Sequence, residues 1–232
     1  MLEHKDFIDQ MLRCAPIRPP TSDITFDASL GAYEVYNHSN LTYLGDLNPP
    51  GQDPQGPYSR NGMGINYYQS GQIHIDGSFK NDIISGDFCR IFYPTGELFF
   101  AGSVKHGFLL EGELFFPNRQ IQYKGKFCGG FIDGEKVEIF SSSGGLRYQG
   151  GVRRGRYDGD AILYHSNGGI CVKGRFKAGE LCDENVQMFF ESGAMFYQGC
   201  VVGGKREGYG ALYYDKKEGK IFFFFWEVWG IK

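Results

Sequence analysis

Neither sign of charge is in large excess: 24 Lys and Arg stand against 27 Asp and Glu, a net charge of -3. Phosphate binding needs a positive footprint, so this balance argues against nucleic acid as the main partner. Long hydrophobic runs are missing as well. The longest, Ile221 to Trp226, has six residues, and a spanning helix takes about 20. The first ten residues, MLEHKDFIDQ, mix acids with a Lys and hold no apolar core, so no signal peptide is expected. Without Gly at position 2 or a C-terminal Cys motif, no lipid anchor is expected. None of the six cysteines (Cys14, Cys89, Cys128, Cys171, Cys182, Cys200) stands in a C-x-x-C pair. A chain of 232 residues has no need of a disulfide framework. Reduced thiols in a cytoplasmic compartment are the simpler expectation. Proline is scarce, at 9 residues.

Glycine and aromatics are abundant. There are 35 Gly, about twice the average usage of roughly 7%. Phe, Tyr and Trp make up 16%. Glycine-rich disordered chains are poor in aromatics, so this chain is expected to fold. Its length fits one long domain or two short ones.

The glycines conceal a repeat. Gly45, Gly77, Gly102, Gly125, Gly150, Gly174 and Gly199 serve as anchors, spaced 32, 25, 23, 25, 24 and 25 residues apart. Two residues before them stand Tyr43, Ile75, Phe100, Tyr123, Tyr148, Val172 and Tyr197. Four before stand Leu41, Ile73, Leu98, Ile121, Leu146, Ile170 and Met195; two after stand Leu47, Phe79, Val104, Phe127, Val152, Phe176 and Val201. A period of two around glycine predicts a strand with one buried face. Glycine weakens a strand, so its place there predicts close approach: a ring from the neighbouring repeat lying over the backbone.

Two further glycines keep their offsets. Five after the anchors come Gly107, Gly130, Gly155, Gly179 and Gly204, with Asp82 in one slot. Six before the next anchor come Gly71, Gly96, Gly144, Gly168 and Gly193, with Arg119 in the odd one. Both sets read as turns needing positive φ. Between them lies a second strand, so each repeat is a β-hairpin. Seven hairpins and a partial eighth are expected over 41–232, with a helix and linker over 1–40. Phe7, Ile8, Met11 and Leu12 share one helical face within residues 3–14. The Pro-rich insert Asn48–Arg60 reads as an exposed loop, and residues 21–40 carry no clear pattern.

The run Tyr197-Gln-Gly199-Cys-Val201-x-x-Gly204-x-x-x-Gly208-Tyr-Gly210 resembles a MORN repeat. The runs from Tyr123 and Tyr148 are similar to it, and Tyr43-Leu-Gly45 rejoins the pattern at Gly62-Met-Gly64 across the insert. The remaining repeats depart at the third glycine, where Phe88, Leu114 or Asn185 stands, and are closer to the divergent MORN variant. The resemblance covers about four fifths of the chain. It implies an all-β fold: an elongated, single-layer antiparallel sheet of stacked hairpins with a groove lined by the Tyr-x-Gly faces. It also implies a non-enzymatic scaffold, often dimeric, in cytoskeletal, ciliary or membrane-apposed assemblies.

The residues offer little catalytic chemistry. His4, His38, His74, His106 and His165 fall in different repeat registers and read as solvated or turn residues, so no metal site is expected. The cysteines read as small packing groups. Gly203–Gly210 lacks the Ser/Thr and the following helix of a phosphate loop, and no cofactor is expected.

Two surfaces stand out. Stacked turns would line up Arg153, Arg154, Arg156, Lys177, Lys205 and Arg206 as a basic edge for an acidic partner, such as a cytoskeletal surface or anionic lipid head groups. The ladder Tyr43, Phe100, Tyr123, Tyr148 and Tyr197 reads as packing between repeats and also as the wall of a groove for a peptide or helix. The leading expectation is a protein-interaction scaffold, cytoskeletal or ciliary. A lipid-binding module and a regulatory fragment of a longer enzyme are the alternatives. At the C-terminus, Ile221 and Phe223 take apolar slots and Phe225 the anchor slot. This uncharged, β-prone edge is expected to pair with its own copy in a two-fold dimer, unless the array continues or a partner chain's N-terminal helix caps it.

Overall fold

The computed structural model describes residues 8–13, 17, 23–48 and 58–213, together with the backbone of 221–226. Most of the insert, residues 3–7 of the expected helix, His4 and Cys14 lie outside the described residues. The chain divides into two compact units, Met1–Ile121 with Lys126–Phe131, and Gln122–Gly125 with Ile132–Lys232. The described strand pairings are antiparallel and join near neighbours in the chain, which gives an all-β, open-sheet architecture as the glycine pattern predicts.

Unit 1 runs β1 (Asp23–Asp27), β2 (Ala32–Asn37), β3 (Asn40–Asn48), β4 (Ser59–Tyr67), β5 (Ile73–Lys80), β6 (Ile83–Ile84), β7 (Gly86–Phe92), β8 (Leu98–Lys105) and β9 (Phe108–Phe115). The residues of β10 (Ile121–Cys128) are divided between the units. Unit 2 holds most of β11 (Phe131–Phe140), then β12 (Leu146–Arg153), β13 (Arg156–Tyr164), β14 (Ile170–Lys177), β15 (Glu180–Leu181), β16 (Asp183–Phe189), β17 (Met195–Val202), β18 (Lys205–Tyr213) and β19 (Ile221–Trp226). The described helix is a single turn over residues 8–11. The array begins earlier than position 41: β1 pairs with β2, and β2 with β3, placing Tyr33 opposite Gly45. Residues 23–37 are therefore strand, where the sequence pattern had indicated linker.

Most of the described hairpins carry two irregularities at fixed places. The register shifts just after the anchor, as between Gly45 and Leu47, Gly150 and Val152, and Gly199 and Val201. It shifts again before the anchor, where an extra residue sits three positions upstream. Thr42, His74, Phe99, Arg147, Cys171 and Phe196 are these extra residues. A bulge inserts one residue and so inverts the alternation beyond it. Residues two before the anchor are buried in most repeats, Ile75 at 0% exposure and Tyr123 at 0%. Those four before, expected on the same face, are half-buried, and Ile121 is exposed.

The C-terminal strand also departs from its expected register. Gly210 pairs with Phe224 and Leu212 with Phe222, and β19 has no bulge. In other hairpins the residue opposite the anchor bridges to the next anchor, as Gly64 does to Gly77. Phe224, 25 residues after Gly199, therefore takes the anchor slot in place of Phe225. The bulge-free pairing accounts for the one-residue difference.

Candidate functional site

The anchor glycines are crossed by rings of their own hairpin. The Tyr43 hydroxyl donates to the Asp46 carbonyl at 2.9 Å, and the Tyr197 hydroxyl to the Cys200 carbonyl at 2.7 Å. The Tyr148 hydroxyl makes the same bond to the Gly151 carbonyl. Each ring thus lies back along its own strand, over the anchor. A Cβ on Gly45 would stand 2.7 Å from the Tyr43 hydroxyl, and one on Gly125 would stand 2.5 Å from that of Tyr123. The four anchors preceded by Tyr have φ between +150° and +159°, a region that residues with a Cβ rarely adopt. Gly77, Gly102 and Gly174, preceded by Ile75, Phe100 and Val172, have no such φ. The expectation of a ring from a neighbouring repeat is corrected: at Tyr43, Tyr148 and Tyr197 the hydroxyl latch turns the ring onto its own hairpin.

A second residue covers each ring from the facing strand. The Arg60 guanidinium lies 5.4 Å from the Tyr43 centroid, and that of Arg206 lies 5.6 Å from Tyr197. Tyr157 stacks on Tyr148 with centroids 3.9 Å apart and planes 8° apart. Leu109 and Ile84 hold the corresponding slots beside Phe100 and Ile75. Tyr43, Phe100, Tyr123, Tyr148 and Tyr197 are all 0–4% exposed. They form core and do not line an open groove. Burial also pushes the Tyr148 phenol well up from its ordinary range and raises that of Tyr197.

The basic edge is assembled. Arg153, Arg154, Arg156, Lys177, Lys205 and Arg206 are all exposed, at the turns joining β12 to β13, β14 to β15 and β17 to β18. Each turn is tied to the hairpin before it. The Gly155 N–H donates to the Ile132 carbonyl at 2.9 Å, Gly179 to Tyr157 at 2.8 Å, and Gly204 to Leu181 at 3.0 Å. The turns therefore stack in sequence order along one side of unit 2. Carboxylates brace them: Asp133 accepts from the Arg154 N–H at 2.9 Å and Asp158 from the Ala178 N–H at 3.5 Å. Arg153 and Arg156 are directly opposite one another in the ladder, an arrangement that like charges disfavour. Nearby, a depression of about 920 Å³ is lined by Gly150, Gly151 and Gly174 and by side chains of both signs, Lys136, Arg153 and Lys173 with Glu135, Asp158, Asp160 and Asp183.

Unit 1 holds a cluster that the sequence reading missed. His74, expected as solvated, is 6% exposed. Its Nε2 donates to the Met11 carbonyl at 2.7 Å, since a carbonyl can only accept. Its Nδ1 then accepts from the Asn66 amide at 3.2 Å. The ring stacks on Tyr68, centroids 4.2 Å apart, and Tyr68 donates onward to the Phe92 carbonyl at 2.7 Å. Burial lowers the His74 pKa, and the Met11 bond and the Arg60 charge act less strongly in opposite directions. With Ile8, Met11 and Ile17 buried, this histidine fastens the N-terminal segment to the sheet. His165 is also tied, by its Nε2 to the Phe189 carbonyl at 2.8 Å. Cys89, Cys128, Cys171, Cys182 and Cys200 are free thiols.

No protein-family model matches the chain, and no curated protein matches it. No helix among the described residues is long and apolar enough to cross a membrane.

Proposed function

We propose that this chain is a non-enzymatic, MORN-like interaction scaffold that docks an acidic protein surface along its basic turn edge. The observation that carries this reading is the opposition of Arg153 and Arg156 across one turn, with Arg154 between them. Stability disfavours that placement, so a partner's carboxylates are the natural return for it. Because the aromatic ladder is core, docking falls to the turns and to the depression beside them. A cytoskeletal surface fits the chemistry, its acidic side chains meeting guanidinium groups held on backbone-stitched turns. Two copies joined at the side of β19 facing away from β18 would set two such edges into one assembly.

Cosedimentation with polymerised tubulin tests the reading, beside flotation with anionic vesicles. The wild type is expected to sediment with the polymer at low salt and to lose binding when Arg153, Arg154 and Lys205 become Glu. Flotation instead of sedimentation would move the edge to lipid head groups. Neither outcome, or binding kept by the triple variant, would remove the basic edge as the docking surface.

A further inference from the structure

The buried polar residues of the described chain are few, and they are together. Among the described residues, Arg60, Asn66 and His74 are the buried polar or charged ones. All three line a single cavity of about 560 Å³ in unit 1, one wall of which comes from Gln10, Met11, Arg13 and Ile17. Each buried polar group opposes folding unless something compensates it. Concentrating them at one cavity is how a binding site departs from a core.

Asn66 shows the departure most plainly. It faces Tyr43 on one side and Ile75 on the other. The same slot holds Ile91, Leu114, Ile139, Leu163, Met188 and Leu212 in other hairpins. Hairpin packing asks for an apolar residue there, and only this repeat has an amide. The cover slot of Arg60 is apolar at Ile84, Leu109 and Leu181, while Arg206 holds it over Tyr197.

The described lining holds two permanent cations, Arg13 and Arg60, and contains no Asp or Glu; Asp82, which pairs with Arg60, is not among the lining residues. Arg60 is held before any ligand arrives: Asp82 accepts from its Nη1 at 2.9 Å, and its guanidinium lies over Tyr43. A guanidinium fixed in advance loses little freedom on binding. The volume falls in the range of small-molecule sites, roughly 300–1,000 Å³.

We infer that this cavity binds a small organic anion, its carboxylate or phosphate group held between Arg13 and Arg60 and its polar body against Asn66 and His74. This stands independently of the basic edge, which lies in the other unit.

The test is calorimetric titration of the full chain at pH 7.5 and matched ionic strength. One arm uses citrate for the carboxylate source; the other uses inorganic phosphate and adenosine monophosphate. Saturable binding in one arm is expected. Arg13 is exposed, so Arg13→Gln should keep the fold and weaken binding about tenfold, the loss of one charge-assisted contact. The double variant Asn66→Ile with His74→Phe introduces the residues that hold these slots in the next repeat, Ile91 and Phe99, and should melt cooperatively without binding. Absence of saturable binding in both arms overturns the inference. So does binding that survives Arg13→Gln unchanged.

Discussion

Asp82 stands where five other repeats place a glycine, and its carboxylate closes on the buried guanidinium of Arg60 at 2.9 Å. The turn keeps the backbone it needs: φ at Asp82 is +66°, and its N–H donates to the Arg60 carbonyl at 3.0 Å, as Gly107 does to Ile84 at 3.0 Å. The side chain then returns to the Arg60 N–H at 3.0 Å as well. A strained turn residue is thus exchanged for neutralisation of a cation that is 2% exposed.

Asp82→Gly separates the two terms. It relieves left-handed strain of about 1 kcal/mol and removes the carboxylate, which for a buried pair costs about 3–5 kcal/mol. A net loss of about 2 kcal/mol in urea unfolding is expected, after discounting for the 32% exposure of the Asp82 side chain. An unchanged midpoint would show that the pair adds nothing.

The glycines divide into two kinds under substitution by Ala. Gly71 and Gly168 have open space around them and φ of +85° and +83°, so only strain of about 1 kcal/mol should appear. Gly45 adds collisions with the Gly64 backbone and the Tyr43 hydroxyl. Its replacement should cost about 3 kcal/mol or more. Equal losses at Gly45 and Gly71 would refute the ring-over-glycine packing.

Tyr148→Phe keeps the ring and its stack on Tyr157 but removes the donor to the Gly151 carbonyl. Loss of about 1–2 kcal/mol is expected, because a buried acceptor is left without its bond. Tyr148→Ala should cost about 3–5 kcal/mol. If both variants unfold at the same denaturant concentration, the ring contributes nothing beyond its hydroxyl.

Stability should depend on His74 below neutrality. Its folded pKa is lowered by burial, so the unfolded chain binds the proton more readily. The contribution of neutral His74 is therefore present above the unfolded value of about 6.5 and is lost as pH falls below it. The wild type minus His74→Phe difference in melting temperature should shrink between pH 7.5 and pH 5.5. A difference independent of pH would show that His74 does not titrate on unfolding.

The side of β19 facing away from β18 gives the last expectation. Phe223→Lys with Phe225→Lys should convert a dimer into a soluble monomer in size-exclusion chromatography with light scattering, since charge blunts an edge strand. A wild type that is already monomeric would dispose of pairing through this strand.

Much of the architecture could be read from spacing alone. Glycines recurring about every 24 residues, flanked by apolar residues at even offsets, leave few alternatives to hairpins. The turn glycines Gly155, Gly179 and Gly204 placed the cationic loops in register, and hydrogen bonds between turns depend on little else. The bulge was not legible: the extra residue three before the anchor is Thr, His, Phe, Arg, Cys or Phe, with no common chemistry to mark it. That hidden residue misassigned the face of Ile121 and its equivalents. Its absence from β19 moved the anchor slot to Phe224.

The cluster at Arg60, Asn66 and His74 marks the boundary between the two kinds of information. An amide in an otherwise apolar slot was visible in the sequence once the slot was known, but the slot is defined by pairing across strands. Composition and periodicity determined that the chain would build stacked hairpins, because those signals are local and repeated seven times. Which ring crosses which glycine, and which three polar side chains share one cavity, was decided only by tertiary structure. The hydrogen bond of His74 to Met11, 63 positions away, comes from three-dimensional proximity, which no spacing along the chain encodes.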